Sequence, residues 1–219
     1  MPVAFDNATA TAVTSTVSFT VALTVASNAV LVAFACGKDI NNSVSSMAYN
    51  GVALTRLGQT GGRTGAGSVA VEAWGLTAPA AGANNLVVKF VGAAQQWAVG
   101  ASSFINAKAA TPFGTAASGT AGAVATIVLS VSSTTTDIVA AGWACIEGIS
   151  ATNLTTRVTD NGTFGFRVGD SAGAATISIS AVTQGGIGGA WAVMGIPIQF
   201  SAAAAGGPKT LMCMIGVSS

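Results

Sequence analysis

The chain has 219 residues, of which 8 are Lys or Arg, 7 are Asp or Glu and none is His, for a net charge of +1. Charged residues make up 7% of it, where a soluble domain carries about 25%; Ser, Thr, Asn, Gly and Ala stand in their place. The lack of histidine excludes Ser-His-Asp and Cys-His catalysis and the usual zinc sites, and the scattered basic residues make no stripe for nucleic acid.

The first residues, MPVAFD, have neither the basic region nor the apolar core of a secretory signal, which points to synthesis and retention in a cytoplasm. Strands are predicted wherever apolar and polar residues alternate. Val17, Phe19, Val21, Leu23 and Val25 point one way, with Ser18, Thr20, Ala22 and Thr24 between them. Residues 29–36 form a continuous apolar run, as a strand buried on both faces does. Asn50-Gly51 between apolar flanks predicts a type I′ hairpin, because both turn positions need positive φ. Further strands are predicted at 69–76, 86–91, 97–105, 124–131, 137–146, 163–168, 174–181 and 190–200, with a tight turn at Asp160, Asn161 and Gly162. Gly-rich segments 58–67, 114–122 and 185–189 read as loops. No window has a helical period, since Gly, Val, Thr and Ser interrupt the abundant Ala.

Residues 7–37, 109–136 and 171–208 carry no charge. The best approach to a helical membrane span, 17–36, is broken at strand spacing by Ser18, Thr20, Thr24, Ser27 and Asn28. Aromatic residues, 6% of the chain, do not supply the girdles of a transmembrane barrel. No membrane insertion is expected.

The expected fold is all-β: an antiparallel β-sandwich, jelly-roll-like, over residues 1–200, followed by an extension at 201–219. Residues 17–36, ending Phe34-Ala35-Cys36, echo 124–145, ending Trp143-Ala144-Cys145, and Trp97 echoes Trp191. The echo divides the domain into halves 1–113 and 123–200. It fits a duplicated sheet, two interleaved Greek keys, or a chance recurrence of strand composition. The extension is a small-residue linker, SAAAAGGP, followed by an apolar stretch carrying Lys209, Leu211, Met212, Met214, Ile215 and Val217. It reads either as a last strand folding back on its own sheet or, the favoured reading, as an arm adding a strand to a neighbouring subunit.

Cys36, Cys145 and Cys213 are too few for a disulfide scaffold. Cys36 and Cys145 each close an apolar run and are expected as buried thiols, a bridge between them being disfavoured in a reducing compartment. Two carboxylates suffice for glycoside hydrolysis, and Glu72 and Glu147 lie on strands beside tryptophans; a strand-end Glu is more often simply solvated. The run at 58–67 superficially suggests a phosphate cradle but has no following helix or Lys-Ser/Thr pair, and Asp160-Asn161-Gly162 lacks the other oxygens of a calcium loop. No catalytic residue, metal or cofactor is expected. Trp74, Trp97, Trp143 and Trp191 sit among apolar neighbours and are expected mostly in the core.

SMAYNGVALTR at 46–56, VEAWGL at 71–76, Pro79, Gly82, LVVKF at 86–90, AVGASSF at 98–104, TPFG at 111–114 and WAVMGIPI at 191–198 form a series of strands and turns. Together they resemble a β-sandwich module frequent in tailed-bacteriophage virion proteins and prophage-derived bacterial proteins, over roughly residues 10–200. The resemblance implies a virion surface component, of the capsid decoration or cement type or of the tail and fibre type, and carries over no catalytic residues. On that reading the partners are the major capsid protein or other virion proteins and further copies of the chain, a trimer being the expected oligomer. The competing reading is an adhesin whose loops 58–67 and 114–122 bind host glycan.

Overall fold

The computed structural model describes residues 1–14, 16–38, 43–61, 68–92, 96–160, 164–184 and 189–201. Among these there are strands and no helix. The first nine strands are β1 (Ala4–Thr14), β2 (Ser18–Val25), β3 (Val30–Lys38), β4 (Val44–Tyr49), β5 (Val52–Ala53), β6 (Thr55–Gly61), β7 (Val69–Thr77), β8 (Gly82–Phe90) and β9 (Gln96–Ile105). The other eight are β10 (Ala117–Val124), β11 (Thr126–Ser132), β12 (Ile138–Cys145), β13 (Ile149–Thr152), β14 (Thr155–Asp160), β15 (Gly165–Ala172), β16 (Thr176–Thr183) and β17 (Gly189–Ile198).

All pairings are antiparallel and the sheets repeat. The first half makes a five-stranded sheet, β1-β9-β3-β7-β6, and a four-stranded sheet, β2-β8-β4-β5. The second makes β10-β17-β12-β15-β14 and β11-β16-β13. Each half is a sandwich whose inner, five-stranded sheet packs back to back on the inner sheet of the other. β3 lies on β12, β7 on β17 and β9 on β15, while the edges meet as β1 with β14 and β6 with β10. That arrangement is two-fold, because β1, β3, β6, β7 and β9 occupy the places of β10, β12, β14, β15 and β17.

Four layers enclose three cores. Even-numbered residues of β3 (Val30, Val32, Phe34, Cys36) enter the central core with Ile138, Ala140 and Ala144 of β12. Odd-numbered Leu31, Ala33 and Ala35 face the four-stranded sheet. Val139, Ala141, Trp143 and Cys145 face the three-stranded one. Inner strands buried on both faces explain the continuous apolar runs, and outer strands with one wet face explain the alternation.

The register corrects the echo read from the sequence. Gly37 pairs with Trp97, and Cys145 pairs with Trp191, so with the two tryptophans as counterparts Gly37 answers Cys145. It follows that Phe34 answers Gly142, Ala35 answers Trp143 and Cys36 answers Ala144. Matching the cysteines slips the register by one residue, which turns every side chain to the opposite face. Cys36 is therefore in the central core and Cys145 in an outer one, both as free thiols.

Other expectations are corrected too. Residues 114–122, read as a loop, contain most of β10, whose small residues ASGTAGAV lie along the edge of β17; pairing and context override weak strand propensity. β1, β6, β13 and β14 carry no alternation strong enough to read and were not expected, and β6 takes residues 58–61 of the segment read as a loop into a pairing with β7. Asn50 (φ 48°) and Gly51 (φ 79°) make the anticipated turn, both in the left-handed region. Asn161, Gly162, residues 62–67 and 185–188, and the arm residues Lys209, Leu211, Met212, Met214, Ile215 and Val217 lie outside the described residues.

Candidate interaction surface

Most of the described charges are buried or half-buried. Glu72, fully buried, accepts a hydrogen bond from the Val44 N–H (3.1 Å) and has Arg56 at 3.8 Å. Its counterpart Arg167 donates to the carbonyls of Ile149 (2.6 Å) and Ser150 (3.3 Å), and burial lowers its pKa. Asp6 accepts from Ala26 N–H (2.8 Å) and the Ser103 hydroxyl (2.7 Å). Asp137 accepts from Thr134 N–H (3.0 Å) and Phe200 N–H (2.9 Å). Thr134 is the counterpart of Ala26, so two different carboxylates hold the same turn. Asp170 is bound by Arg157 through both nitrogens of a fork. Among the charged residues whose burial is described, only Arg56, Lys89 and Lys108 are exposed.

What remains outside is mostly neutral, Lys89 being the described charge on the first outer face. On the first outer sheet Ser18, Thr20, Ala22 and Thr24 of β2 stand across from Lys89, Val87, Asn85 and Ala83 of β8. On the second, Thr126, Val128, Ser130 and Ser132 of β11 stand across from Val182, Ser180, Ser178 and Thr176 of β16. These side chains point away from the cores because their neighbours at alternate positions, such as Leu23 and Val131, point in. Val128, midway along the edge strand β11 of this second face, is 59% exposed. The two faces are counterparts on opposite sides of the molecule.

Candidate chemistry does not assemble in the same way. Glu72 is sealed in the first half and Glu147 lies just beyond β12 in the second, so they do not form a facing pair. Trp97, Trp143 and Trp191 are fully buried and Trp74 is 7% exposed, which leaves no aromatic platform. Burial raises the Cys36 thiol well above its ordinary pKa. Burial likewise pushes Cys145 up to about 11; a backbone hydrogen bond at Glu147 and the Lys38 charge oppose the rise, and the Glu147 charge adds to it. Among the described residues no group of three metal-ligating side chains is present, and no helix is long and apolar enough to cross a membrane.

Several grooves open between the described residues. A polar one of about 550 Å³ runs past Ser130, Ser132, Thr134, Asp137 and Gln199. An apolar one of about 450 Å³ lies between the β5–β6 connection and residues 110–113, floored by Leu57, Leu76 and Phe113. Sequence reasoning missed both, since each joins segments far apart in the chain. Comparison with models of known families, with curated proteins and with solved structures finds no match to this chain.

Proposed function

We propose that this chain is a non-enzymatic structural component of a bacteriophage virion, a decoration or cement protein that docks on neighbouring coat subunits through its outer sheet faces. The observation that carries the reading is how few charges the exterior shows: among the charged residues whose burial is described, only Arg56, Lys89 and Lys108 are exposed. Interface centres are depleted in charge, because a buried charge must recover a desolvation cost of several kcal/mol. Hydroxyls and small aliphatic groups lose far less. A protein meant to stay dispersed gains solubility from charge; this one has used its charges to pin turns and strand ends. The resemblance of its strand and turn series to virion modules supports the same reading, as does the winding of each half. There the chain passes repeatedly between inner and outer sheets, which we take as a jelly roll.

Magnitude bears on how it docks. At ~3.3 Å along and ~4.8 Å between strands, one outer face offers roughly 500 Å². A stable interface uses about 800 Å² per partner. One face is too small alone, so binding draws on both faces or on a further contact. Purified heads lacking the protein should bind it at lattice stoichiometry in co-sedimentation, and failure to bind at micromolar concentration removes the reading.

The polar groove supports a second reading, an adhesin of tail or fibre that binds host glycan, since hydroxyls, a carboxylate and an amide are the groups that pair with sugar hydroxyls. Glycan-array binding lost on Ser130→Val would favour it over decoration.

A further inference from the structure

The apolar groove has a counterpart whose filling shows what it lacks. β6 and β14 each carry a bulge at the same place, skipping Leu57 in one and Arg157 in the other. Gly75 pairs with Val32 where Asp170 pairs with Ala140, and Phe113 bridges to Ile198 where Phe5 pairs with Phe104. Leu57, Gly75 and Phe113 are therefore the counterparts of Arg157, Asp170 and Phe5. In one set the Arg157 guanidinium lies 3.7 Å from the centre of the Phe5 ring and Asp170 holds it there. In the other, no guanidinium of a described residue covers Phe113. Gly75 has no side chain, and one added there would strike the Phe113 ring at 2.7 Å. The result is an uncharged groove of about 450 Å³, in the range that ligand sites occupy, with half-buried Leu57 and Phe113 at its floor.

We infer that this groove receives the apolar C-terminal segment, residues 209–217, of a second copy of the chain. The inference rests on the structural-protein reading above and supplies the further contact that reading needs. Leu211, Met212, Met214 and Ile215 are the aliphatic and thioether side chains that suit an uncharged groove whose polar side chains are the hydroxyls of Thr55, Thr77 and Thr111, and Gly206, Gly207 and Pro208 before them permit a change of direction. The exit of the chain favours a neighbour over a return. Residues 197–201 run antiparallel to 106–114, through Gly114 N–H to Pro197 O (2.8 Å), Gln199 N–H to Pro112 O (2.7 Å) and Ser201 N–H to Asn106 O (3.2 Å). By Ser201 the chain has passed the groove wall and is moving away from it, so its own tail must double back while a neighbour's need not. An arm in a groove is a heterologous contact, which propagates until it closes into a ring. A three-membered ring is the smallest that offers symmetric matching to a three-fold site on a coat lattice.

Sedimentation velocity of the full chain at micromolar concentration, with reductant to keep Cys213 from cross-linking, tests this by complementation. The unaltered chain should form a closed oligomer. Leu57→Arg, which places over Phe113 the residue that covers Phe5, should weaken association at least tenfold. So should Ala53→Lys on the exposed rim, a variant with no core contact to lose. Leu211→Ser with Ile215→Ser should do the same from the arm side. A one-to-one mixture of a groove variant with the arm variant retains one intact groove and one intact arm, and should sediment as a dimer and no larger. Association unchanged in the groove variants, a monomeric unaltered chain, or no dimer in the mixture overturns the inference; the last with a protected tail places the chain's own segment in the groove. Head binding is scored separately. Heads bound without complementation sink the arm alone, and complementation without head binding sinks the virion role.

Discussion

Phe34 and Gly142 occupy the same position in the two halves, and they touch each other. A Cβ on Gly142 would lie 2.6 Å from Phe34 Cγ, so the ring of one fills the space vacated by the other where the two inner sheets cross. In a symmetric dimer of separate halves this position would meet itself, and two rings would collide or two glycines would leave a void. Joining the halves in one chain lets the position differ on each side. Gly100 beneath Val168 and Phe166, and Gly58 beneath Met194, use the same large-against-small fit.

Gly142→Ala should therefore cost about 1–3 kcal/mol by overpacking and Phe34→Ala about 3–5 kcal/mol by the cavity it leaves. The exchange Phe34→Gly with Gly142→Phe should be more stable than the two single changes sum to, by about 0.5–3 kcal/mol. Urea unfolding of the four proteins measures this; strict additivity would show that the counterparts do not meet.

Glu72 and Arg167 are also counterparts, opposite in charge and alike in task. Each reaches from an inner sheet to the backbone at the bulged start of an outer strand, Glu72 to the Val44 N–H and Arg167 to the Ile149 carbonyl. Glu72→Leu leaves a buried N–H without that acceptor and should cost about 1–3 kcal/mol. Glu72→Gln keeps the acceptor and should cost less than half as much. Equal losses in the two variants, read by thermal or urea unfolding, would mean the carboxylate acts by charge alone.

The buried thiols make stability fall in alkali. Folding raises the pKa of Cys145 from 9.0 to about 11 and raises Cys36 as well. The folded state therefore holds a proton that the unfolded chain releases. This contribution is complete below pH 9 and is lost as pH climbs from 9 through 11, at about 1.4 kcal/mol per pH unit for each thiol. Cys145→Ala should flatten the slope of stability against pH in that window by about one thiol's worth. A slope unchanged by the substitution would contradict it.

The outer faces give the most direct functional handle. Val128→Lys or Thr20→Asp puts charge on the exposed side of an edge strand, β11 or β2, so stability should stay within about 0.5 kcal/mol. Binding to heads should drop at least tenfold, and raising salt should change the binding of the unaltered chain little, because few ion pairs are available to screen. Calorimetry and co-sedimentation check the two halves of this statement.

Much of this was legible in the sequence, for physical reasons. Strands such as β2 and β3 announce themselves because one-sided and two-sided burial leave different patterns, and Asn50-Gly51 because few residues accept positive φ. β10 was hidden because its Ala, Ser and Gly residues are ordinary loop composition and become a strand only along β17. The true register of the repeat was hidden because few counterpart pairs are identical, Phe5 with Phe113 and Ala33 with Ala141 among them, while the cysteines suggest a match one residue away. Charge scarcity could be counted, but which charges are buried could not. Glu72 meets Val44 and Asp137 meets Phe200 across long stretches of chain.

The measurement that bears most directly on the virion role is the copy number of this protein in particles purified from the host that encodes it, by quantitative mass spectrometry against the major coat protein. The account predicts hundreds of copies per particle, in simple ratio to the coat lattice. Its absence from intact particles, or its presence in a handful of copies, would contradict decoration.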